Sequence, residues 1–218
     1  MLDSQIDECI QIWKKHYPTW KAPILELLSK RGKTPFEILI ATILSLRTKD
    51  EVTAKSAERL FSHANTVDEM QQLDINKIEE LIYPVGFYHT KATRIKQITE
   101  ILIEKYDKKV PDTLDALLEF PGIGRKTANL VLSECFGKDA ICVDTHVHKI
   151  SNRLGWVQTK NPKQTEFALI QKLPKIYWND INELMVAFGQ TLCKPISPWC
   201  GQCPIEHYCP KIGVTKHR

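Results

Sequence analysis

The stretch that decides the fold is DALLEFPGIGRKTANLVL, at residues 115–132. Its first half has the apolar spacing of an amphipathic helix, which Pro121 stops. Gly122 and Gly124 then let the backbone turn tightly, and a second helix begins directly afterwards. The stretch therefore predicts two helices joined by a glycine hairpin, with Ile123 anchoring the turn in the core.

Helical spacing continues on both sides of the hairpin. Apolar residues recur at intervals of three or four in the segments 35–46, 50–61, 74–82, 91–105, 113–119, 125–136, 145–154, 164–173 and 180–192. No segment alternates with a period of two, and the dipeptides typical of β-hairpins are missing. Thr34 before Pro35 marks one helix start, since a capping residue precedes proline at the first helical position. The chain is predicted to be all-α.

Composition and the N-terminus bound the class of protein. The 218 residues are 43% hydrophobic and 26% charged, which is ordinary for a soluble globular chain of one large or two small domains. The formal charge of +4 permits nucleic-acid binding without requiring it. Residues 1–15 are not expected to be a secretory signal or a membrane span. Their pattern predicts an amphipathic helix with Ile6, Cys9, Ile10 and Trp13 on one face. We expect a cytoplasmic monomer without membrane contact.

The start of the second hairpin helix is a candidate phosphate site. Its first N–H groups lack partners within the helix, and they lie at the positive end of the helix dipole. Arg125 and Lys126 occur there although a cation at this end typically costs about 0.3–1 kcal/mol. A bare hairpin could be only a corner between helices. The two cations favour phosphate binding by Gly122, Gly124 and Arg125.

An amine and a carboxylate follow one another along this part of the chain. Asp144 lies eighteen residues after Lys126 and precedes a helical segment, so capping that helix would by itself explain it. If the two helix starts share a cleft, the pair suits cleavage of a glycosidic bond. The carboxylate would stabilise a cationic sugar, and the amine would attack C1′ and form a Schiff base.

Four of the seven cysteines crowd together near the C-terminus. Cys193, Cys200, Cys203 and Cys209 have the spacing C-x6-C-x2-C-x5-C. Four thiolates hold either zinc or an iron–sulfur cluster, and the spacing alone leaves both open. Disulfides are disfavoured in a cytosolic protein. The other cysteines lie among apolar neighbours and are expected to be buried: Cys9, Cys135 and Cys142.

Several segments together resemble a known family. FPGIGRKTANLVL at 120–132 and VDTHVHKISNRLGW at 143–156 are similar to the helix–hairpin–helix, Gly/Pro…Asp superfamily of DNA glycosylases, and within it to endonuclease III. The similarity extends over about 34–209. It includes LSLRTKD at 44–50 and GFYHTKA at 86–92.

The resemblance implies base-excision repair on double-stranded DNA. The expected enzyme is a bifunctional glycosylase that removes oxidised or ring-saturated pyrimidines and cleaves 3′ to the abasic site by β-elimination. Lys126 would be the Schiff-base nucleophile and Asp144 the essential carboxylate. The same resemblance assigns a [4Fe-4S] cluster to Cys193, Cys200, Cys203 and Cys209.

The resemblance also implies two helical lobes with a DNA-binding cleft between them. One lobe would comprise residues 27–138, and the other residues 1–26 with 139–218 and the cluster. In the family the first loop between the cysteines contacts DNA phosphates. In this chain that loop, 194–199, has Lys194 as its one cation, so we expect a reduced electrostatic contribution from it.

Two residues depart from the family pattern. Arg47 stands where glutamine is common, and Phe87 stands where leucine is common. Either side chain could fill or open the base stack at a flipped nucleotide; alternatively, Arg47 is a solvated charge and Phe87 packs in the core.

A mismatch-type (T/G or U/G) glycosylase is a rival function, which Lys126 disfavours because such relatives usually lack the hairpin lysine. A non-catalytic iron–sulfur DNA-binding protein is a second alternative.

Overall fold

The structure is a computed structural model that describes residues 3–20 and 32–218. Regular structure in these ranges is helical, with no strand, as predicted. None of the described helices is long and apolar enough to cross a membrane. The described residues form two compact units: the hairpin unit, 32–138, and the cysteine unit, 3–20 with 139–218. The expected boundary between residues 26 and 27 lies outside the described residues.

The helices of the described residues are numbered in chain order. They are α1 (Asp3–His16), α2 (Pro35–Ser45), α3 (Asp50–His63), α4 (Val67–Gln72), α5 (Ile75–Ile82), α6 (Tyr88–Lys105), α7 (Leu114–Leu118), α8 (Arg125–Phe136), α9 (Thr145–Arg153), α10 (Pro162–Lys172) and α11 (Asp180–Thr191). Short 3-10 turns occur at Tyr17–Thr19, Lys175–Tyr177, Cys200–Gln202 and Glu206–Tyr208.

Helix starts in the hairpin unit follow from capping chemistry. At α2, Glu37 N–H donates to Thr34 Oγ1 at 3.2 Å, and Thr34 N–H donates to Glu37 Oε2 at 2.9 Å. This reciprocal pair is a capping box, and it confirms the predicted start. Helix α4 has the same arrangement between Thr66 and Glu69, although the apolar spacing did not predict this six-residue helix.

Helix α2 is the central helix of the hairpin unit. All of its residues from Phe36 to Leu44 are buried, and it packs against α3, α6 and α8. A helix that is apolar on every side must be covered on every side. Helix α2 therefore provides a common support for α8, which follows the glycine hairpin, and for α6, which follows the turn at Phe87.

The cysteine unit has an aromatic core. The ring of Trp13 lies 5.5 Å from that of Trp156 and 5.2 Å from that of Phe188, measured between centroids. The predicted apolar face of α1 is fully buried here, at Ile6, Cys9, Ile10 and Trp13. Since large aromatic side chains contribute much of the apolar area in a small core, this cluster joins α1 to α11 and to the segment that follows α9.

Candidate functional site

The glycine hairpin has the predicted geometry. Gly122 has a left-handed backbone at φ +81°, and Ile123 is 7% exposed. Gly124 is the N-cap of α8 and, because it lacks a side chain, forms no side-chain cap. The first turn of α8 also contains no acidic residue. The helix start therefore keeps its positive potential, as a phosphate site requires.

Arg94, on α6, packs against this hairpin. A Cβ atom at Gly122 would lie 2.7–2.8 Å from Cδ, Nε and Nη1 of Arg94. Glycine is favoured at this position by its positive φ, and a Cβ atom here would also require the flexible Arg94 side chain to shift. Because Arg94 precedes the hairpin by almost thirty residues, no local pattern in the sequence pointed to it.

The predicted nucleophile and carboxylate belong to different units. Lys126, in the hairpin unit, is the second residue of α8 and is exposed. Asp144, in the cysteine unit, is the N-cap of α9, as predicted: its Oδ1 accepts hydrogen bonds from the N–H groups of His146 and Val147, both at 2.8 Å. Since both bonds use Oδ1, Oδ2 takes no part in the cap, and the carboxylate is held by backbone donors.

Arg47 and Phe87 form an exposed pair in the hairpin unit. Both have left-handed backbones, with φ of 53° and 59°, which is uncommon outside glycine. Phe87 is 63% exposed, so it does not pack in the core. The guanidinium carbon of Arg47 lies 5.7 Å from the centroid of the Phe87 ring, within the range of a cation–π contact. The two departures from the family pattern therefore come together in space.

The four C-terminal cysteines share one cavity. Cys193, Cys200, Cys203 and Cys209 all line the same cavity, and none of the four is in a disulfide. Among residues 3–20 and 32–218, no three His, Cys, Asp or Glu side chains are placed to hold a single metal ion. Burial raises the pKa of the Cys203 thiol to about 12. A bound cation would favour its thiolate.

Arg153, the last residue of α9, holds the start of the cysteine loop. Its Nη1 donates to Cys193 Sγ at 3.3 Å, to Cys193 O at 3.2 Å and to Lys194 O at 2.9 Å, and its Nη2 donates to Pro195 O at 2.9 Å. The side chain is buried, at 9% exposure. Sequence reasoning missed this residue, because its partners lie about forty positions away.

The C-terminal residues lie alongside the loop between the first two cysteines. Arg218 N–H donates to Pro198 O, and Arg218 O accepts from Gly201 N–H, both at 2.8 Å. The Arg218 guanidinium lies 4.9 Å from the Trp199 ring centroid. Lys194 is exposed on the loop itself. The structure therefore supplements the single cation of this loop with at least one more, from the tail.

The fold and hairpin place the chain in a class of DNA repair proteins. Residues 40–175 match the family model described as HhH-GPD superfamily base excision DNA repair protein. The chain is similar to a structure described as a trapped endonuclease III–DNA covalent intermediate, at 36% identity, TM-score 0.86 and 97% coverage of both chains. A thermostable thymine-DNA glycosylase shares the fold, with TM-score 0.82 at 22% identity and 94% coverage of both chains.

The sequence relatives define the family more narrowly. Endonuclease III of Thermotoga maritima is 49% identical over 175 residues, which span 80% of this chain and 82% of the relative. The chain belongs to the endonuclease III family of DNA glycosylases and abasic-site lyases, and it acts in base-excision repair. Members of this family generally carry a [4Fe-4S] cluster.

Proposed function

We propose that this glycosylase removes oxidised or ring-saturated pyrimidines from duplex DNA and cleaves the strand through a Schiff base on Lys126. The observation that carries the proposal is the placement of an exposed amine in the first turn of α8, directly after the glycine hairpin. The hairpin N–H groups and Arg125 would bind a DNA phosphate. An amine beside that phosphate is then within reach of the neighbouring sugar.

The chemistry assigns one task to each of the two groups. The Lys126 amine attacks C1′, a new C–N bond forms, and the C1′–N bond to the damaged base breaks; the base leaves with a proton. The Asp144 carboxylate stabilises the positive charge that develops on the sugar. The nitrogen then loses a proton as the C1′–O4′ bond breaks and O4′ takes up a proton, which opens the sugar ring to an imine. The imine loses a C2′ proton, and the C3′–O bond breaks with the 3′ phosphate as the leaving group. The backbone donors on Oδ1 keep the carboxylate in a fixed orientation for this task.

The exposed pair would act before the chemistry. Damaged pyrimidines stack and pair poorly, so extrusion of such a base costs less than the few kcal/mol required for a sound pair. The Phe87 ring and the Arg47 guanidinium are flat groups that can occupy the gap between stacked bases. Their exposure and mutual contact support this role.

The cysteines would hold a [4Fe-4S] cluster. The common cavity fits this assignment, and so do the N–H donors to sulfur, from Arg153 to Cys193 and from the Lys211 backbone to Cys209 at 3.4 Å. When bound, the cluster supplies cross-links that fix the loop-rich tail.

Metal content tests the cluster assignment. Protein purified without oxygen should contain about four irons and four sulfides per chain. Cys200→Ser should lose iron, whereas Cys135→Ser, a substitution in α8 outside the cavity, should retain it. Zinc without iron, in cells supplied with both, would overturn the assignment.

The nucleophile is tested by borohydride trapping on a duplex with one abasic site. Wild-type protein should form a covalent adduct, and Lys126→Gln should lose both the adduct and strand cleavage while it still binds the duplex. Lys109→Gln is a matched control, because Lys109 is an exposed lysine of the same unit. Equal trapping by wild type and Lys126→Gln would show that another amine performs the reaction. Release of thymine from a duplex with one T/G mismatch, without any adduct trapped on the abasic duplex, would favour the mismatch-type glycosylase instead.

A further inference from the structure

Lys91 is a buried lysine that the chemistry does not use. It lies in the first turn of α6 and is 3% exposed. Its Nζ donates to Leu44 O at 2.8 Å, to Leu46 O at 2.7 Å and to Thr48 Oγ1 at 2.9 Å. All three N–H donors of the ammonium are thereby satisfied, and all three acceptors are neutral groups.

These acceptors surround the turn that contains Arg47. Leu44 and Leu46 lie at the C-terminal end of α2, where backbone carbonyls lack helical partners. Lys91 supplies the missing donors from a neighbouring helix and places a positive charge at the negative end of the α2 dipole. The left-handed backbone of Arg47 is thus enclosed between two residues whose oxygens bind the same ammonium. Such a conformation persists only where the surrounding structure holds it.

The turn that contains Phe87 is joined to the turn that contains Arg47. Gly86 N–H donates to Thr48 Oγ1 at 3.2 Å, so Thr48 accepts from both Gly86 and Lys91. A Cβ atom at Gly86 would lie 2.7 Å from Arg47 O, which means that the two turns are in direct backbone proximity. Phe87 follows Gly86 and is the N-cap of α6, the helix that contains Lys91.

The burial of this ammonium is unfavourable by itself. Burial, and secondarily the nearby Arg94, lower the pKa of Lys91 to about 8. An apolar side chain of similar length would fill the same space without that desolvation. Packing alone therefore does not explain why a charged lysine occupies position 91, and its hydrogen bonds to the turn at Arg47 do.

We propose that Lys91 is a positioning residue for base extrusion: its ammonium holds the two turns in the arrangement that exposes Arg47 and Phe87 side by side. The inference rests on the proposed role of this pair in filling the gap left by the flipped base. A preformed pair enters the stack without first ordering two turns, and this should accelerate extrusion.

The test compares two lysines of α6. Lys91→Met removes the ammonium and keeps the stem. Lys96→Met is the matched control, because Lys96 similarly donates to backbone oxygens, of Gln71 and Leu73, at the end of α4. Two readouts follow each variant: single-turnover excision of thymine glycol, and the fluorescence of 2-aminopurine placed opposite the lesion, which reports insertion into the stack.

Lys91→Met should slow excision and the fluorescence change by about tenfold or more on a fully paired duplex. The loss should be smaller where the lesion lies in an unpaired bulge, because little stacking remains to be broken. Lys96→Met should change neither. Equal losses on both substrates, or the same pattern in both variants, would mean that Lys91 only stabilises the fold and would overturn the inference.

A second pair of variants covers the case in which Lys91→Met does not fold. Thr48→Val removes the hydroxyl that accepts from Gly86 and Lys91, whereas Thr48→Ser retains this hydroxyl. Both variants leave Lys91 in place. The Val variant should show the selective loss on paired duplexes, and the Ser variant should recover most of it; no difference between them would reject the inference. Borohydride trapping through Lys126 is measured in parallel. Its failure in the wild type would refute the proposed function, whereas normal trapping with unselective losses would refute only the role of Lys91.

Discussion

Replacement of Arg153 by methionine should weaken the cysteine loop severely. Methionine retains the length of the buried stem but removes the guanidinium, which donates to three carbonyls and one thiol. Burial raises the pKa of the Cys193 thiol, which indicates that little water reaches this residue. Water therefore cannot easily replace the lost donors there. Lys194 and Pro195 are exposed residues, so their carbonyls can be hydrated again.

The magnitude follows from the two acceptors of Cys193. A buried acceptor left without a donor costs about 1–3 kcal/mol. Because Cys193 is partly buried and its sulfur is a weak acceptor, O and Sγ of Cys193 together account for about 1–3 kcal/mol. The exposed carbonyls add little. Against a total stability of about 5–15 kcal/mol for a typical domain, this loss is large enough to open the cavity locally. Arg153→Lys should lie in between, because one ammonium cannot reach all four acceptors.

The assay measures iron per chain in protein purified without oxygen, and the midpoint of urea unfolding. Lys149→Met is the control, since Lys149 is an exposed lysine of the same helix. Arg153→Met should lose most of its iron and unfold at lower urea, while the control keeps both values. An Arg153→Met protein with full iron content and a stability within about 0.5 kcal/mol of wild type would refute the reasoning.

Two further predictions concern pH and salt. Because burial and Arg94 lower the pKa of Lys91 from 10.5 to about 8, the unfolded chain binds more protons between these pH values. The unfolding free energy of wild type minus that of Lys91→Met should therefore rise with pH across this window, by at most about 1.4 kcal/mol per pH unit. Urea unfolding at several pH values measures this difference, and a difference that does not change with pH would contradict the prediction. Replacing Lys216 and Arg218 together by alanine should reduce the slope of log binding constant against log salt by about 0.9 for each DNA phosphate that the tail no longer neutralises, and an unchanged slope would place the tail away from DNA.

The fold was predictable because its signals are local. A period of 3.6 residues and capping residues recur along the chain, and both act within one or two turns of the helix they form. Helix α4 was missed because a six-residue segment shows less than two turns of periodicity. Its capping box, between Thr66 and Glu69, was the available signal. The start of α6 at Tyr88 was also placed three residues late, because Phe87 caps it through an unusual backbone rather than through a side chain.

The candidate site was predictable only where its chemistry is local. The glycine hairpin and the Asp144 cap depend on neighbours within three residues. Lys91 and Arg153, by contrast, bind backbone oxygens forty or more positions away along the chain. These carbonyl oxygens give no residue-specific signal in the sequence, since every residue has a carbonyl. Such contacts exist only once the helices are packed, so no spacing in the sequence could indicate them.

Two similar segments of the hairpin unit, each with a glycine turn, differ in which of their residues is buried and which is exposed. GFYHTKA at 86–92 and GIGRKTA at 122–128 both place an aromatic or aliphatic residue after glycine and a lysine in the following helix. In the first turn Phe87 is exposed and Lys91 is buried; in the second, Ile123 is buried and Lys126 is exposed. The buried member of each pair fixes its turn, through hydrogen bonds in one case and apolar packing in the other. In the proposed function the exposed members are the groups that meet the substrate: the Phe87 ring would enter the base stack, and the Lys126 amine would attack the sugar.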